Sequence, residues 1–288
     1  MNAPYPARRA AARGRRVRPV VHEGFLAHRR HLWAWVALGL SAGAALLYAF
    51  DDPWPRPNGG TALGYLFGTA GALLILWLAA LGIRKRRFTD GPWSLKAWVS
   101  AHVWLGLALV VLATLHSGFQ FGWNVHTLAY ALMMLVVLSG IWGVVLYRRL
   151  PRRLSDNRAG ISERAMAAEL ADSDRALDAA ARPLPDRVAA LVEAAIASPA
   201  VGRSLAERLA GRVAGCGTAR ALDALPPGDP ALAPLRALLE ARQALLVRVR
   251  RNAQLKSWLQ VWLLVHVPMS VALLVALAAH IVSVFFYW

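Results

Sequence analysis

The chain has 288 residues, 57% of them hydrophobic, with twelve tryptophans and a mean hydropathy of +0.41, and several apolar runs are long enough to cross a bilayer, which excludes a wholly soluble protein. A formal charge of +17 would suit a nucleic-acid binder, but many of the cations crowd the ends of apolar segments, so topogenic charge is the better account and no nucleic acid is expected. Cys216 is the only cysteine, which excludes a disulfide framework, a four-cysteine iron–sulfur site and covalent haem attachment, and leaves metal chemistry to histidine, carboxylate or methionine.

Residues 1–30 carry eight arginines, with Pro4, Pro6 and Pro19 and no helical apolar period, and read as a basic arm. The run "HLWAWVALGLSAGAALLYAF" at 31–50 predicts a first transmembrane helix. A cleaved signal peptide competes with that reading, but the apolar core is longer than the usual one and "DDPWPRP" follows it in place of small residues. Further spans are predicted at 61–83, 97–119, 126–147 and 258–286, so that 31–149 holds four transmembrane helices and 258–288 the fifth. Lysine and arginine number eight in the arm, five in 84–96 and four in "RRLPRR", against Arg56 alone in 51–60 and none in 117–125. The positive-inside rule places the N-terminus, the 84–96 connection and 150–257 in the cytoplasm and the C-terminus in the periplasm of a bacterial inner membrane. The third and fifth helices then run in the same direction.

Residues 150–257 form a polar insertion rich in alanine, arginine and leucine, punctuated by Pro183, Pro185, Pro199, Pro226, Pro227, Pro230 and Pro234, and predict a small bundle of short helices. After Pro234 the segment has no breaker, so its last helix is expected to run directly into the fifth span. The fold class expected is all-α: an integral membrane bundle of five transmembrane helices with a small helical cytoplasmic insertion.

Four of the eight histidines fall inside predicted spans: His102 and His116 in the third, His266 and His280 in the fifth. Each pair is fourteen residues apart. At about 100° and 1.5 Å per residue, fourteen steps return to within about 40° of one face and cover about 21 Å. On parallel helices His102 can face His266, and His116 can face His280. Two opposed imidazoles at each side of the membrane are what two b-type haems require, since iron takes its axial ligands from opposite faces of a flat macrocycle. Small residues within a turn of the ligands, Gly106, Ala113, Gly118, Ser270, Ala276 and Ala279, would let a porphyrin approach the backbone. The competing reading makes these histidines packing groups or part of a proton path. Zinc or copper is a weaker alternative, because two histidines per site fall short of a four-coordinate shell.

The other histidines say less. His22, His28 and His31 lie in or beside the arm, and His126 opens the fourth span, where it can bond a haem propionate or a quinone or sit in the headgroup layer. Inner propionates could be neutralised by Arg84, Arg87, Lys96, Arg148 or Lys256, and outer ones would rely on Gln120, Trp123 and Asn124 or on a partner. "GRVAGCGTAR" at 211–220 clusters glycines without the G-x-G-x-x-G spacing or a preceding strand, and reads as a loop or helix break.

The His-x13-His pattern on one helix and again two helices later resembles the ferric reductase-like transmembrane domain and is similar to the four-helix haem core of cytochrome b. The resemblance covers about 100 residues, the second to fifth helices. It implies axial ligation by His102, His116, His266 and His280, two haem b, and electron transfer across the bilayer. The chain departs from full-length ferric reductases in stopping at Trp288, without flavin or nicotinamide domains, and the insertion belongs to neither pattern. The function expected is therefore a cytochrome b subunit relaying electrons within a multi-subunit redox complex. Its haems would carry charge rather than bind substrate, so no residue of the chain is assigned a catalytic role. Besides membrane lipid, its partners would be a cytoplasmic iron–sulfur or flavin subunit and an outer c-type cytochrome. Two alternatives stay open: a quinone-reactive cytochrome b, with quinone as a further ligand, and a scaffold with structural histidines.

Overall fold

Five runs of apolar residues without internal charge fold as long helices, as expected where backbone groups must be satisfied within the segment. The computed structural model describes residues 24–54, 56–86, 93–158, 162–213 and 215–286. Most of the basic arm with His22, the part of the 84–96 connection that contains Arg87, and Trp288 lie outside the described residues. The long helices are α1 (His28–Phe50), α2 (Ala62–Arg86), α3 (Leu95–Ser117), α4 (Val125–Arg158) and α9 (Ala233–Phe286). Between α4 and α9 come α5 (Glu163–Ala181), α6 (Asp186–Ala197), α7 (Leu205–Ala210) and α8 (Gly217–Ala224), and no strand occurs among the described residues. The fold is all-α, with five helices long and apolar enough to cross a membrane.

Local sequence sets the limits of the helices that matter most. Ser94 caps α3, its hydroxyl accepting from the Ala97 amide at 3.2 Å, and Gly118 ends it in the left-handed region at φ 57°. A side chain at Gly118 would stand 2.2 Å from the Pro57 carbonyl, so this glycine closes a helix against a neighbouring loop. The regular part of α1 begins after Arg29, Arg30 and His31, whose φ values of 47°, 54° and 65° are left-handed. α4 does not stop at its charged "RRLPRR" run but continues to Arg158, where the Asn157 amide donates to the Arg248 carbonyl of α9 at 2.8 Å. α9 is one helix from the polar insertion to the end of the membrane part, with Pro268 inside it. Proline has no amide to donate to the carbonyl four residues back, so Leu264 lacks its usual helical partner there.

Two apolar clusters hold the membrane part together. Ala37, Leu78, Ala101, Leu105, Ala108, Leu109, Met133 and Leu273 join α1, α2, α3, α4 and α9, and Ala44, Phe67, Leu112 and Leu115 join α1, α2 and α3. Outward-facing Leu46, Leu73, Leu138 and Val275 stay exposed, which in a multi-pass membrane protein is the surface offered to lipid. Trp33, Trp77, Trp93 and Trp98 gather at one end of α1 to α3, with Trp77 stacked on Trp98 at 4.6 Å, while Trp54 and Trp123 are exposed at the opposite end. Tryptophan at both ends is the pattern of an aromatic belt.

The insertion has its own core of Leu177, Ala181, Val192, Ala195, Ala221, Leu225, Leu232, Leu235 and Leu239. Arg242 of α9, 1% exposed, is bonded to Asp174 of α5 at 2.7 Å and to the Thr218 hydroxyl of α8. That buried guanidinium ties two helices of the insertion, α5 and α8, to the helix that continues through the membrane part.

Candidate cofactor site

α3 and α9 each carry two histidines, and all four are half-buried in the bundle. At the end marked by Gly118, the rings of His116 and His280 lie with centres 5.9 Å apart and planes at 84°. Towards the opposite end, His102 and His266 lie close enough to interact electrostatically. Two imidazoles bound end-on to one metal would have centres about 6 Å apart, from two bonds of about 2 Å and roughly 1 Å from each nitrogen to its ring centre. The His116–His280 pair stands at that centre-to-centre separation.

Each of the four rings has a partner for its Nδ1. His102 Nδ1 lies 3.1 Å from the Leu78 carbonyl, and His116 Nδ1 lies 2.8 Å from the Gly64 carbonyl. A carbonyl only accepts, so both rings carry their hydrogen on Nδ1 and leave the Nε2 lone pair for a ligand. His266 Nδ1 lies 2.7 Å from the Ser139 hydroxyl, which itself donates to the Val136 carbonyl at 2.8 Å. The hydroxyl hydrogen is thus spent, and His266 must also donate from Nδ1. The fourth ring, His280, places its Nδ1 2.5 Å from Nδ1 of His126.

Small residues make these contacts possible. A methyl group on Gly68 would lie 2.6 Å from Cε1 of His116, and one on Gly59 would lie 3.2 Å from the same atom. Gly64, which presents the carbonyl, is crossed by the 58–59 backbone at 2.2–2.8 Å from where its Cβ would be. On α4 the run Ser139-Gly140-Ile141-Trp142-Gly143 does similar work for α9. A side chain on Gly143 would strike the Trp262 indole at 2.2 Å, and Trp262 donates to the Ser139 carbonyl at 2.8 Å. Trp262 in turn lies against His266, with ring centres 5.4 Å apart.

Of the residues that sequence offered as room for a porphyrin, Gly106 faces open space, Ala276 is buried, and Ser270 donates to the His266 carbonyl at 2.7 Å. Several expected propionate partners are engaged with protein. Lys256 pairs with Glu163, Gln120 donates to the Pro57 carbonyl at 2.8 Å, and Asn124 accepts from the Thr127 amide at 3.0 Å at the start of α4. Lys85, which the sequence reading passed over, lies within electrostatic range of both His102 and His266. Its place in the last turn of α2, beside Arg84, is the sequence signal for a cation near these two rings.

The donor set distinguishes among metals. Among the described residues no group of three or more His, Cys, Asp or Glu side chains is arranged to hold a bare ion. Zinc needs three or four protein ligands, whereas haem brings its own four equatorial nitrogens and asks the protein for two. Paired imidazoles with Nδ1 engaged and Nε2 available fit a bis-histidine haem. No protein-family model, curated protein or solved structure matches this chain.

Proposed function

We propose that the chain is a dihaem cytochrome b subunit, with one haem b held by His102 and His266 and a second by His116 and His280, relaying electrons across a bacterial inner membrane. The observation that carries this is the common arrangement of the four rings: each Nδ1 is engaged at 2.5–3.1 Å, which leaves an Nε2 on every one. Packing histidines would be free to use either nitrogen, and four uses of the same one at two matched depths is what axial ligation asks for. Haem bound at the two sites would supply reversible one-electron chemistry, with no open coordination position for substrate.

The residues of the chain do the rest. α2 holds the α3 histidines through backbone carbonyls, and α4 holds the α9 histidines through side chains, so both pairs are fixed by elements that carry no ligand themselves. Leu105, Ala108, Leu109 and Leu112 of α3, all at most 8% exposed, fill the stretch between the two sites and keep water out of it. Lys85 provides positive charge at the inner site. Moving one electron across the full membrane potential is worth about 2.3 kcal/mol per 100 mV, so the direction of relay is coupled to that potential.

The N-terminus and 150–257 are assigned to the cytoplasm and the C-terminus to the periplasm, on the distribution of lysine and arginine. The cytoplasmic insertion is then the surface for an iron–sulfur or flavin subunit, and the periplasmic end the surface for a c-type cytochrome. His126, the group a quinone-reactive site would use to carry protons, is engaged by His280, which favours the relay over quinone chemistry. The test is haem content after single substitutions in the purified full chain. His102→Leu should lose one of two haem b and keep the other, as should His116→Leu, and a variant that loses neither contradicts the pairing.

A further inference from the structure

The outer pair has a third imidazole beside it. His126, in the first turn of α4, meets His280 edge-to-face, with ring centres 4.6 Å apart, planes at 88° and the two Nδ1 atoms at 2.5 Å. The geometry points to His126 as a positioning residue for the outer haem: it accepts the Nδ1 hydrogen of His280 and fixes that ring in the tautomer whose Nε2 binds iron. This rests on the dihaem reading above.

Two ring nitrogens at this distance share one hydrogen, so one ring donates and the other accepts. Were His126 the donor, a neutral His280 would carry its own hydrogen on Nε2 and have no lone pair there for a metal. Ligation by His280 therefore selects a single arrangement, with His280 donating and His126 holding its remaining hydrogen on Nε2. Distance also separates the two roles. The 4.6 Å between His126 and His280 is shorter than the roughly 6 Å that two axial ligands of one iron need, while His116 and His280 stand at 5.9 Å. His126 is a neighbour of the ligand and not a replacement for it.

The acceptors repeat along the chain as the ligands do. His102 and His116 are fourteen residues apart, and so are their acceptors Leu78 and Gly64 on α2. His266 and His280 are fourteen apart, and their partners Ser139 and His126 on α4 are thirteen apart. At about 1.5 Å per residue both acceptor spacings match the depth of the ligands they serve to within a few ångström. The structure thus has four acceptors for four ligands, and His126 is the only nitrogen among them. An imidazole nitrogen is a stronger base than a carbonyl or hydroxyl oxygen. It would raise the basicity of His280 most, and with haem bound there that would favour the ferric state.

The experiment uses the purified full chain in detergent, with redox titration of both haems and electron paramagnetic resonance of the oxidised state. In His126→Leu the outer site should bind haem about 10- to 100-fold more weakly. Whatever outer haem remains should show a raised midpoint potential and altered low-spin g values, while the inner haem is unchanged. In His126→Asn the side-chain oxygen can accept from His280 Nδ1, and both properties should move back towards those of the unsubstituted protein. An outer haem in His126→Leu with unchanged potential and g values overturns the inference. So do Leu and Asn variants perturbed equally, which would make the ring a packing group. Unsubstituted protein that binds no haem overturns the dihaem reading itself, and is told apart by that control.

Discussion

Gly68 offers the sharpest test of how the outer site is built. A Cβ there would stand 2.6 Å from Cε1 and 2.8 Å from Nδ1 of His116, where ordinary contact begins at 3.4 Å. In Gly68→Ala the ring must therefore retreat from α2 by the shortfall, about 0.8 Å. A retreat directed away from α2 carries Nδ1 from 2.8 Å to as much as about 3.6 Å from the Gly64 carbonyl, the far limit of a hydrogen bond. The variant loses a hydrogen bond worth about 1 kcal/mol. It also loses the group that orients the ligand, which typically weakens a metal site 10- to 100-fold, or about 1.4–2.8 kcal/mol. Haem extracted from the purified protein should fall from two towards one per chain, with the outer haem the one that is lost. Gly82 lies on the same helix with nothing within 4 Å of where its Cβ would be, so Gly82→Ala is the matched control and should keep both haems. Two haems in Gly68→Ala with an unchanged spectrum would refute the packing argument for His116.

Other expectations follow from single contacts. Ser139→Ala removes the acceptor of His266 Nδ1 but spares the Trp262 bond, which goes to the Ser139 backbone, so redox titration should show the inner haem shifted and the outer one unmoved. Arg242→Met strands Asp174 and Thr218 in the insertion. Breaking a fully buried ion pair costs about 3–5 kcal/mol, and because Asp174 keeps 27% side-chain exposure the loss here should be nearer about 2 kcal/mol. Limited proteolysis between 162 and 232 should accelerate while the haem spectrum is retained. Burial works to raise the Cys216 thiol, but the Arg250 guanidinium bonded to its sulfur, together with the Ala219 and Thr218 backbone amides, outweighs burial and leaves it ionising below the ordinary cysteine value. The thiolate persists to lower pH than a free cysteine's, so the pH profile of iodoacetamide labelling should inflect below that of free cysteine and move up in Arg250→Met; coincident profiles would contradict the contact.

The spans and the histidine register were legible because both are periodic. An apolar run of bilayer length fixes a helix, and fourteen residues return to nearly the same face whatever surrounds them. What holds the rings was not legible for the same physical reason in two of four cases. Leu78 and Gly64 act through backbone carbonyls, which every residue has, so no residue type marks them. Ser139 and His126 are visible as residue types, yet only the packing of α4 along α9 shows which rings they meet. Gly118 was read as room for a cofactor, whereas its left-handed φ and the Pro57 carbonyl beside it make it a helix terminator. The glycines that receive the His116 ring, Gly59 and Gly68, lie on α2 and the loop before it, more than forty residues away in sequence. Charge led to the "RRLPRR" run as a helix boundary, but arginine and leucine are good helix formers and α4 runs on through them.

The central claim, two bis-histidine b haems in one chain, is tested most directly by a low-temperature reduced-minus-oxidised absorption spectrum of the purified protein, quantified per chain. The account predicts a b-type α-band with an intensity of two haems, reduced in two resolvable steps. A spectrum without that band, or one corresponding to a single haem, would contradict it.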